Sequence, residues 1–340
     1  MPDEQARRIV LASRPHGEPT AENFRLETVP VPQPGAGQLL LRTRYLSLDP
    51  YMRGRMSAAK SYAKPVEVGD VMTGEVVAEV VASDRPDYKA GDLVTAPLGW
   101  QTHGLSDGKG LRRVDASSAP ITTALGVLGM PGFTAYAGLR EIGRPKEGET
   151  VVVAAASGPV GSMVGQLARK AGARAVGIAG GPEKCAFVRD ELGFDAAVDH
   201  RAHDFAEQLG AACPKGIDVY FENVGGAVWQ AVLPLLNDFA RVPVCGLVSQ
   251  YNLAGPPEGP DNLPTTMAAV LRKRLTLRGY IIFDFAGLFP DFLRDVTPAV
   301  RDGSIKYRED VVDGLENAPE AFMGMLKGRN FGKLLVKVAG

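Results

Sequence analysis

Four small residues follow an apolar run at a spacing that suits phosphate binding. The string VVVAAASGPVGSMVGQLARKAG starts at residue 151 and places Ala155, Gly158, Gly161 and Gly165 in the pattern A-x-x-G-x-x-G-x-x-x-G. Glycines let the backbone approach a ligand closely, and the unpaired N–H groups and dipole at the start of a helix favour a pyrophosphate. The spacing therefore predicts a dinucleotide site, although a tight strand–helix turn requires the same glycines.

The residues after the next apolar run indicate which dinucleotide is bound. An NAD site usually carries Asp or Glu about 20 residues past the glycines, where the acid holds the ribose 2′-hydroxyl. Here Gly180 and Gly181 take that place, and Lys184 follows. An ammonium beside an uncharged turn favours a 2′-phosphate, so the sequence favours NADPH. In the alternative, Lys184 is a solvated helix lysine and Glu183 holds the ribose. His200 is either a second phosphate contact or an ordinary loop histidine.

A parallel sheet is needed to position these residues. Residues 151–156 are predicted as a strand buried on both faces, and the following helix presents the apolar stripe Val160, Met163, Val164, Leu167, Ala168 and Ala171. Further strands are predicted near 174–178, 196–199, 217–223, 241–247 and 275–283, with helices near 182–192, 203–212, 226–236, 265–274 and 288–302. Six parallel strands with crossover helices make a doubly wound dinucleotide domain, so the fold class is α/β.

The first third of the chain has a different character. Prolines at 15, 19, 30, 32 and 34 interrupt helices, and strands are predicted at 38–48, 69–82 and 91–96. The segment DPYMRGRM at 49–56 is predicted as a loop. The C-terminal stretch 305–340 has strand-like ends around a short helix near 318–327 and is expected to pack back on the N-terminal region. We therefore predict a β-rich domain of residues 1–122 and 303–340, and a dinucleotide-binding domain of residues 123–302.

Composition limits the classes of function. The chain has 340 residues, of which 45% are hydrophobic and 23% charged, and its net charge of -1 gives no electrostatic case for nucleic acid or an anionic membrane. The first residues lack the apolar core of a signal peptide, and no run is long enough to span a bilayer. Cysteines at 185, 213 and 245 are odd in number, which argues against a disulfide framework. We expect a cytoplasmic protein.

Several long strings resemble one enzyme family. They are YLSLDPYMRGRM at 45–56, GFTAYAGL at 132–139, ASGPVGSMVGQ at 156–166, GIAGGPEKC at 177–185, YFENVGG at 220–226, CGLVSQYN at 245–252 and AFMGMLKGRNFGK at 321–333. Through most of its length the chain resembles the medium-chain dehydrogenase/reductase superfamily. Within it, the chain is similar to the zinc-free prostaglandin and alkenal double-bond reductases, a branch that includes bacterial curcumin reductases. The resemblance implies a Rossmann domain with a β-rich GroES-like domain, NADPH as cofactor, and a homodimer. It also implies hydride transfer to the double bond of an α,β-unsaturated ketone or aldehyde.

The residues that bind zinc in other branches are replaced here. Zinc relatives carry Cys where this chain has Ser47, and Gly-His-Glu where it reads Thr73-Gly74-Glu75. The closely spaced cysteine cluster of those relatives is absent from the sequence. The four histidines, at 16, 103, 200 and 203, stand in no ligand pattern. We therefore predict no metal.

The resemblance further implies a set of cofactor contacts. Gly158, Pro159, Val160 and Gly161 would line the pyrophosphate, with Gly180 and Lys184 at the 2′-phosphate. His200 stands where the family usually has Tyr, and Asn223 would lie near the ribose. The nicotinamide end would be wrapped by Cys245, Gly246, Leu247, Val248, Ser249, Gln250 and Tyr251. The remaining contacts would come from the backbone of Tyr280, Ile281 and Ile282, and from Asn330 in the C-terminal return.

Two tyrosines are candidates for catalysis. Hydride addition to an enone builds negative charge on the carbonyl oxygen, and a tyrosine or ribose hydroxyl can hydrogen-bond that oxygen. Tyr251 follows the fifth strand and Tyr51 lies in the β-rich region, so a cleft between domains is expected to hold both; Tyr62 is a third choice. Each has an alternative role as an aromatic wall or a structural hydrogen bond. Arg53 either orients a polar end of the substrate or forms a structural ion pair.

Two other functions are compatible with these features. The same frame supports reduction of quinones by NADPH, which an assay of an enone beside a quinone would separate. A non-catalytic NADPH-binding protein needs the nucleotide domain but no substrate pocket.

The long apolar run LTLRGYIIF at 275–283 predicts an exposed sheet edge that pairs with a second copy, unless FAGLFPDFL covers that edge.

Overall fold

The computed structural model describes residues 5–338. Within that range the chain forms fifteen strands and nine α-helices. The N-terminal elements are β1 (Gln5–Leu11), β2 (Phe24–Pro30), β3 (Leu39–Ser47), α1 (Tyr51–Arg55), β4 (Val76–Ser83), β5 (Leu93–Ala96), β6 (His103–Ser106) and β7 (Arg112–Arg113). The central elements are α2 (Met130–Gly138), β8 (Thr150–Ala154), α3 (Pro159–Lys170), β9 (Arg174–Ala179), α4 (Pro182–Ala186), β10 (Ala196–Asp199), α5 (Phe205–Ala212), β11 (Ile217–Phe221), α6 (Gly226–Val232), β12 (Leu236–Val244), α7 (Leu263–Lys273), β13 (Thr276–Gly279) and α8 (Phe289–Arg301). The C-terminal elements are β14 (Glu309–Asp313), α9 (Ala318–Leu326) and β15 (Lys333–Lys337). No helix in the described range is long and apolar enough to cross a membrane.

The described residues form two compact units. One takes in the described residues up to Gly126, Asn252–Ala254, and the described residues from Glu309 onward. The other consists of Val127–Tyr251 and Gly255–Arg308. We call them the β-rich unit and the nucleotide unit.

The nucleotide unit is built on a six-stranded sheet. Its strand order is β10-β9-β8-β11-β12-β13, and every neighbouring pair is parallel. Numbered within the unit, this is the order 3-2-1-4-5-6 of a doubly wound dinucleotide fold. Strand β8 is central and all five of its residues are buried, because both of its faces are covered. The predicted α/β class is therefore confirmed.

One face of β8 packs against helices α5, α6 and α7. Val152 and Ala154 belong to an apolar cluster that includes Leu209 of α5, Val232 of α6 and Ala269 of α7. On α3, Gly165 is so close to Phe194 that an added Cβ would lie 1.8 Å from its ring. The buried face of α3 differs from the predicted stripe. Ala171 is exposed and Val160 half-buried, whereas Gln166 is buried and hydrogen-bonds the backbone of Lys306 in both directions.

The β-rich unit is a seven-stranded sheet with a small satellite. Its main path runs β14-β15-β3-β4-β5-β7, with β6 paired to β3, while β1 and β2 form an antiparallel pair. Strand β15 pairs with β3, which confirms the expected return of the C-terminal segment. The core is filled by Leu, Val and Met side chains around an aromatic cluster in which Trp100 stacks on Phe24 and meets Phe322 edge-on.

Several predicted elements differ from the structure, among them the strand predicted at 241–247, which spans Leu236–Val244 as β12. The segment 49–56 contains helix α1 instead of a loop, because the N–H groups of Met52 and Arg53 bond the carbonyls of Asp49 and Pro50. Strand β4 begins at Val76 instead of residue 69. The residues before it bond elsewhere: the Met72 N–H bonds the Ile9 carbonyl of β1, and the Met72 carbonyl accepts the Trp100 N–H.

The last strand of the nucleotide unit is also shorter than predicted. Strand β13 covers Thr276–Gly279 instead of 275–283, because its partner β12 ends at Val244, opposite Gly279. The chain then turns inward at Tyr280 and continues as a 3-10 helix, Ile282–Leu288. Helix α2 was not predicted; apart from Met130 its residues are all buried.

Candidate active site

The turn after β8 has the backbone of a phosphate site. Ala155 is exposed and has φ of 53°, a left-handed conformation that allows the Gly158 N–H to bond the Ala155 carbonyl at 3.0 Å. Gly158 precedes helix α3, whose first residue is Pro159. A Cβ on Gly161 would lie 2.4 Å from the Ala155 oxygen, so this glycine is required for the close approach of helix to turn. The first-turn N–H groups of α3 lack partners within the helix and fit a pyrophosphate.

The tip of β9 is bare backbone surrounded by basic groups. Gly180 carries no side chain, and a Cβ there would lie 2.9 Å from Nε2 of His200 and 3.1 Å from Nε of Arg201. Lys184 lies in α4, which begins two residues after Gly180. Burial, followed by the charge of Arg201, lowers the pKa of His200; the charge of Lys184 acts in the same direction. Sequence reasoning singled out His200 and Lys184 but missed Arg201, although it is the next residue in the chain.

The turn after β11 is held by a buried carboxylate. Oε1 of Glu222 accepts the N–H groups of Val224 at 2.7 Å and Gly225 at 2.8 Å, and the Tyr220 hydroxyl at 2.9 Å. Burial raises the pKa of Glu222, against the effect of these donors. Asn223 donates from Nδ2 to the Ala154 carbonyl at 2.8 Å, which ties this turn to the end of β8. Glu222 was overlooked at the sequence level because a single acidic residue carries no pattern.

The segment after β12 rests on that turn. The N–H groups of Cys245 and Gly246 bond the Glu222 carbonyl, at 2.9 and 3.1 Å, and the Val248 N–H bonds the Asn223 carbonyl at 3.1 Å. The remaining residues of the segment follow, with Leu247 before a 3-10 turn of Val248–Gln250 that contains Ser249. A Cβ on Gly246 would lie 3.0 Å from the Tyr251 hydroxyl, so the phenol folds back over its own segment.

Tyr280 joins this segment to helix α2. Its hydroxyl donates to the Thr134 carbonyl at 2.9 Å and also interacts with the Cys245 thiol. Burial raises the pKa of Cys245 to about 11. The Ile281 N–H bonds Oδ2 of Asp284 at 3.1 Å, and Ile282 begins the following 3-10 helix.

Tyr51, Tyr62 and Asn330 belong to the β-rich unit. Tyr51 is half-buried at the start of α1, and the Arg55 guanidinium lies 5.8 Å from its ring and 5.3 Å from that of Tyr62, which is 55% exposed. Burial, and then the charges of Asp49 and Glu75, raise the pKa of Tyr51, so its hydroxyl is a neutral donor at pH 7. Asn330 donates to the Gly332 carbonyl at 2.8 Å.

The position of the zinc relatives' cysteine is occupied by a buried polar cluster. Ser47 donates to Oδ2 of Asp49, and Lys333 donates to Oδ1 of Asp49 at 2.7 Å and to the Leu48 carbonyl at 2.8 Å. Among residues 5–338 no group of three or more His, Cys, Asp or Glu could hold a metal ion.

Arg53 makes no ion pair in the described range; instead its guanidinium donates to the Gly17 carbonyl at 2.7 Å.

The candidate cofactor residues of the nucleotide unit therefore share one edge of its sheet. The turns containing Gly158, Gly180, Asn223 and Cys245 follow the carboxyl ends of β8, β9, β11 and β12. Ligands of open parallel sheets bind at this edge, where the strand order reverses.

Comparison with known proteins identifies the family. Residues 7–114 match the family described as "N-terminal domain of oxidoreductase", and residues 159–297 match the one described as "Zinc-binding dehydrogenase". The chain is 58% identical to the NADPH-dependent curcumin reductase of Escherichia coli, over 99% of this chain and 98% of that protein. It is 39% identical to the NADP-dependent 2-alkenal reductase of Nicotiana tabacum, over 98% of this chain and 97% of the relative.

A solved structure gives the same answer at the level of the fold. CurA from Vibrio vulnificus in complex with NADPH is 55% identical and superposes with a TM-score of 0.95, covering 98% of this chain and 99% of that one. The identities over nearly the whole length confirm the family that the sequence strings resembled. The chain belongs to the medium-chain dehydrogenase/reductase superfamily, in the branch of the curcumin and alkenal double-bond reductases.

Proposed function

We propose that this protein reduces the carbon–carbon double bond of α,β-unsaturated ketones and aldehydes with hydride from NADPH. The observation that carries the proposal is the full-length likeness to reductases of this kind, of which the Escherichia coli relative acts on curcumin. The residues at the carboxyl edge of the nucleotide sheet fit NADPH. They offer a glycine turn for the pyrophosphate and an uncharged, cation-flanked backbone where an NAD site carries an acid.

Each group of residues has a distinct role in this proposal. Gly158–Gly161 hold the pyrophosphate, and Gly180, Lys184 and His200 surround the 2′-phosphate. Asn223 lies at the ribose, and the segment from Cys245 to Tyr251 wraps the nicotinamide end. Tyr280, Ile281 and Ile282 contact the carboxamide through their backbone. Tyr280 and Ile281 also have a structural role, because the Tyr280 hydroxyl bonds the Thr134 carbonyl and the Ile281 N–H bonds Asp284. Asn330, in the C-terminal return, is a further cofactor contact in this proposal.

The chemistry requires a hydrogen-bond donor at the substrate carbonyl. When bound, NADPH supplies the hydride that adds to the β-carbon. The electron pair of the carbon–carbon double bond shifts toward the carbonyl and forms an enolate, whose oxygen accepts a hydrogen bond from Tyr251. A proton taken up from water at the α-carbon then completes the addition of two hydrogens. A donor aimed at a developing oxyanion lowers the barrier, because the bond strengthens as charge develops. Tyr51 is the second candidate for the same role.

An assay panel tests this function. NADPH oxidation is followed with an enone, a 2-alkenal, a dienone such as curcumin, and a quinone. We expect turnover of the conjugated ketones and aldehydes, with the saturated carbonyl compound as product. Turnover of the quinone alone would make the protein a quinone reductase. NADPH binding with no turnover of any of the four would indicate a non-catalytic NADPH-binding protein.

We propose further that the protein is a cytoplasmic homodimer. The three cysteines are free thiols, as expected in a reducing compartment. All four residues of β13 are exposed along the edge of the nucleotide sheet, which supports pairing with a second copy.

A further inference from the structure

The tip of β9 lies beneath two basic side chains. Nε2 of His200 and Nε of Arg201 lie 2.9 and 3.1 Å from the position of a Cβ on Gly180. A Cβ on Gly181 would lie 3.8 Å from Nη1 of Arg201. A side chain at position 180 would displace the ends of His200 and Arg201, which are the groups nearest to this backbone.

Asp199 fixes the chain where Arg201 begins. Oδ1 of this carboxylate accepts the N–H of Gly181 at 2.8 Å and the N–H of Arg201 at 2.9 Å. Burial alone would raise the pKa of Asp199, but the two backbone donors and the nearby cations hold it below its ordinary value. The carboxylate therefore joins the ends of β9 and β10 as an anion at neutral pH.

The Arg201 residue is exposed, and its guanidinium makes no ion pair in the described part of the chain. No carboxylate among residues 5–338 lies within ion-pair distance of it, since the adjacent Asp199 is engaged by backbone N–H groups. The fields of Arg201 and Lys184 both act on His200. Arg201 and the imidazole of His200 thus flank an uncharged turn, a setting that favours the binding of an anion.

We propose that Arg201, together with Lys184, binds the 2′-phosphate of NADPH, and that Asp199 positions Arg201 for this contact. The planar guanidinium offers two parallel N–H donors that match two phosphate oxygens, a geometry that a lysine ammonium does not supply. Arg201 thereby contributes, with Lys184, to the preference for NADPH over NADH. In the competing arrangement the guanidinium stacks on the adenine ring, which both cofactors share.

Equilibrium binding separates these arrangements without relying on turnover. Dissociation constants of Arg201→Gln are measured for NADPH, NADH, 2′,5′-ADP and 5′-AMP. Loss of one charge-assisted contact is expected to weaken NADPH and 2′,5′-ADP by on the order of tenfold to a hundredfold. Binding of NADH and 5′-AMP is expected to change less than about twofold, because they lack the phosphate. The loss should shrink at high salt, where the ionic contact is screened.

Arg189→Gln is the matched control, because that guanidinium is exposed and already paired with Asp190 at 2.7 Å. It should leave all four dissociation constants unchanged. An equal loss of NADPH and NADH affinity in Arg201→Gln would assign the guanidinium to the adenine, and no loss for either would leave it as a solvated side chain; both results overturn the proposal. Thermal unfolding of each variant confirms that it is folded.

The positioning role of Asp199 has its own test. Asp199→Asn keeps the Oδ1 acceptor for both N–H groups and removes a negative charge near the phosphate, so it should bind 2′,5′-ADP at least as tightly as the parent. Asp199→Ala removes the acceptor and should bind 2′,5′-ADP severalfold more weakly, with 5′-AMP less affected. Equal binding of 2′,5′-ADP by the Ala and Asn variants would show that Asp199 does not position Arg201.

Discussion

Tyr251 is the residue on which the proposed catalysis depends most, through its phenol hydroxyl. Tyr251→Phe removes the donor and keeps the ring over Gly246, so kcat with a saturating enone should fall about tenfold or more while KM changes little. The NADPH dissociation constant is measured in parallel, to separate catalysis from cofactor binding. Tyr51→Phe is the companion variant. A large fall in kcat for Tyr51→Phe alone would transfer the role to Tyr51, and unchanged kcat in both would leave them as wall residues.

At the same scale, the Cys245 thiol is expected to react slowly with alkylating reagents. Burial raises its pKa to about 11, and because only the thiolate reacts with alkylating reagents, the thiol is protected below that pH. At pH 8 its alkylation by iodoacetamide should be on the order of a hundredfold slower than that of N-acetylcysteine, and the rate should rise with pH up to about 11. Peptide mass spectrometry over a pH series measures both. Rapid modification of Cys245 at pH 7 would contradict this environment.

At the scale of elements, the Glu222 carboxylate links the end of β11 to the segment after β12. Glu222→Ala leaves two buried donors and one partly buried donor without their acceptor, and each unsatisfied buried group costs roughly 1–3 kcal/mol. We expect a marked loss of stability in urea unfolding, with NADPH and NADH weakened alike because the segment from Cys245 to Tyr251 rests on this turn. Glu222→Gln retains the Oε1 acceptor and should lose less than half as much stability. A loss of affinity for NADPH but not for NADH would argue against a role of Glu222 in supporting the segment from Cys245 to Tyr251.

At the scale of the whole molecule, the exposed edge of the nucleotide sheet bears on assembly. Leu277 on β13 is 38% exposed, and nearby in sequence Leu271 and Phe283 are 78% and 73% exposed. If two copies pair through β13, Leu277→Glu places like charges across the two-fold axis and should shift the mass in sedimentation velocity from dimer to monomer. Leu26→Glu, at a 45% exposed position on β2, should leave the dimer intact. A monomeric parent protein at micromolar concentration would refute the dimer.

The sequence by itself determined the features that repeat locally. Alternation of apolar strands with amphipathic helices predicted the parallel sheet, and the spacing of Gly158 and Gly161 predicted the turn before α3. Both signals arise within a few residues, because backbone conformation and helix periodicity are local properties. The long strings of the chain, from YLSLDPYMRGRM onward, were specific enough to indicate the family, which the comparisons confirmed.

Only the tertiary structure decided which side chains meet. Lys333 reaches Asp49 from 284 residues away, and Arg201 covers Gly180 because β9 and β10 end side by side. The end of β13 was likewise set by its partner strand, at Val244, although the apolar pattern continues beyond it. Such contacts join distant segments whose separation follows no fixed period. They arise when packing of the sheet brings strand ends together, so the pattern of any one segment does not encode them.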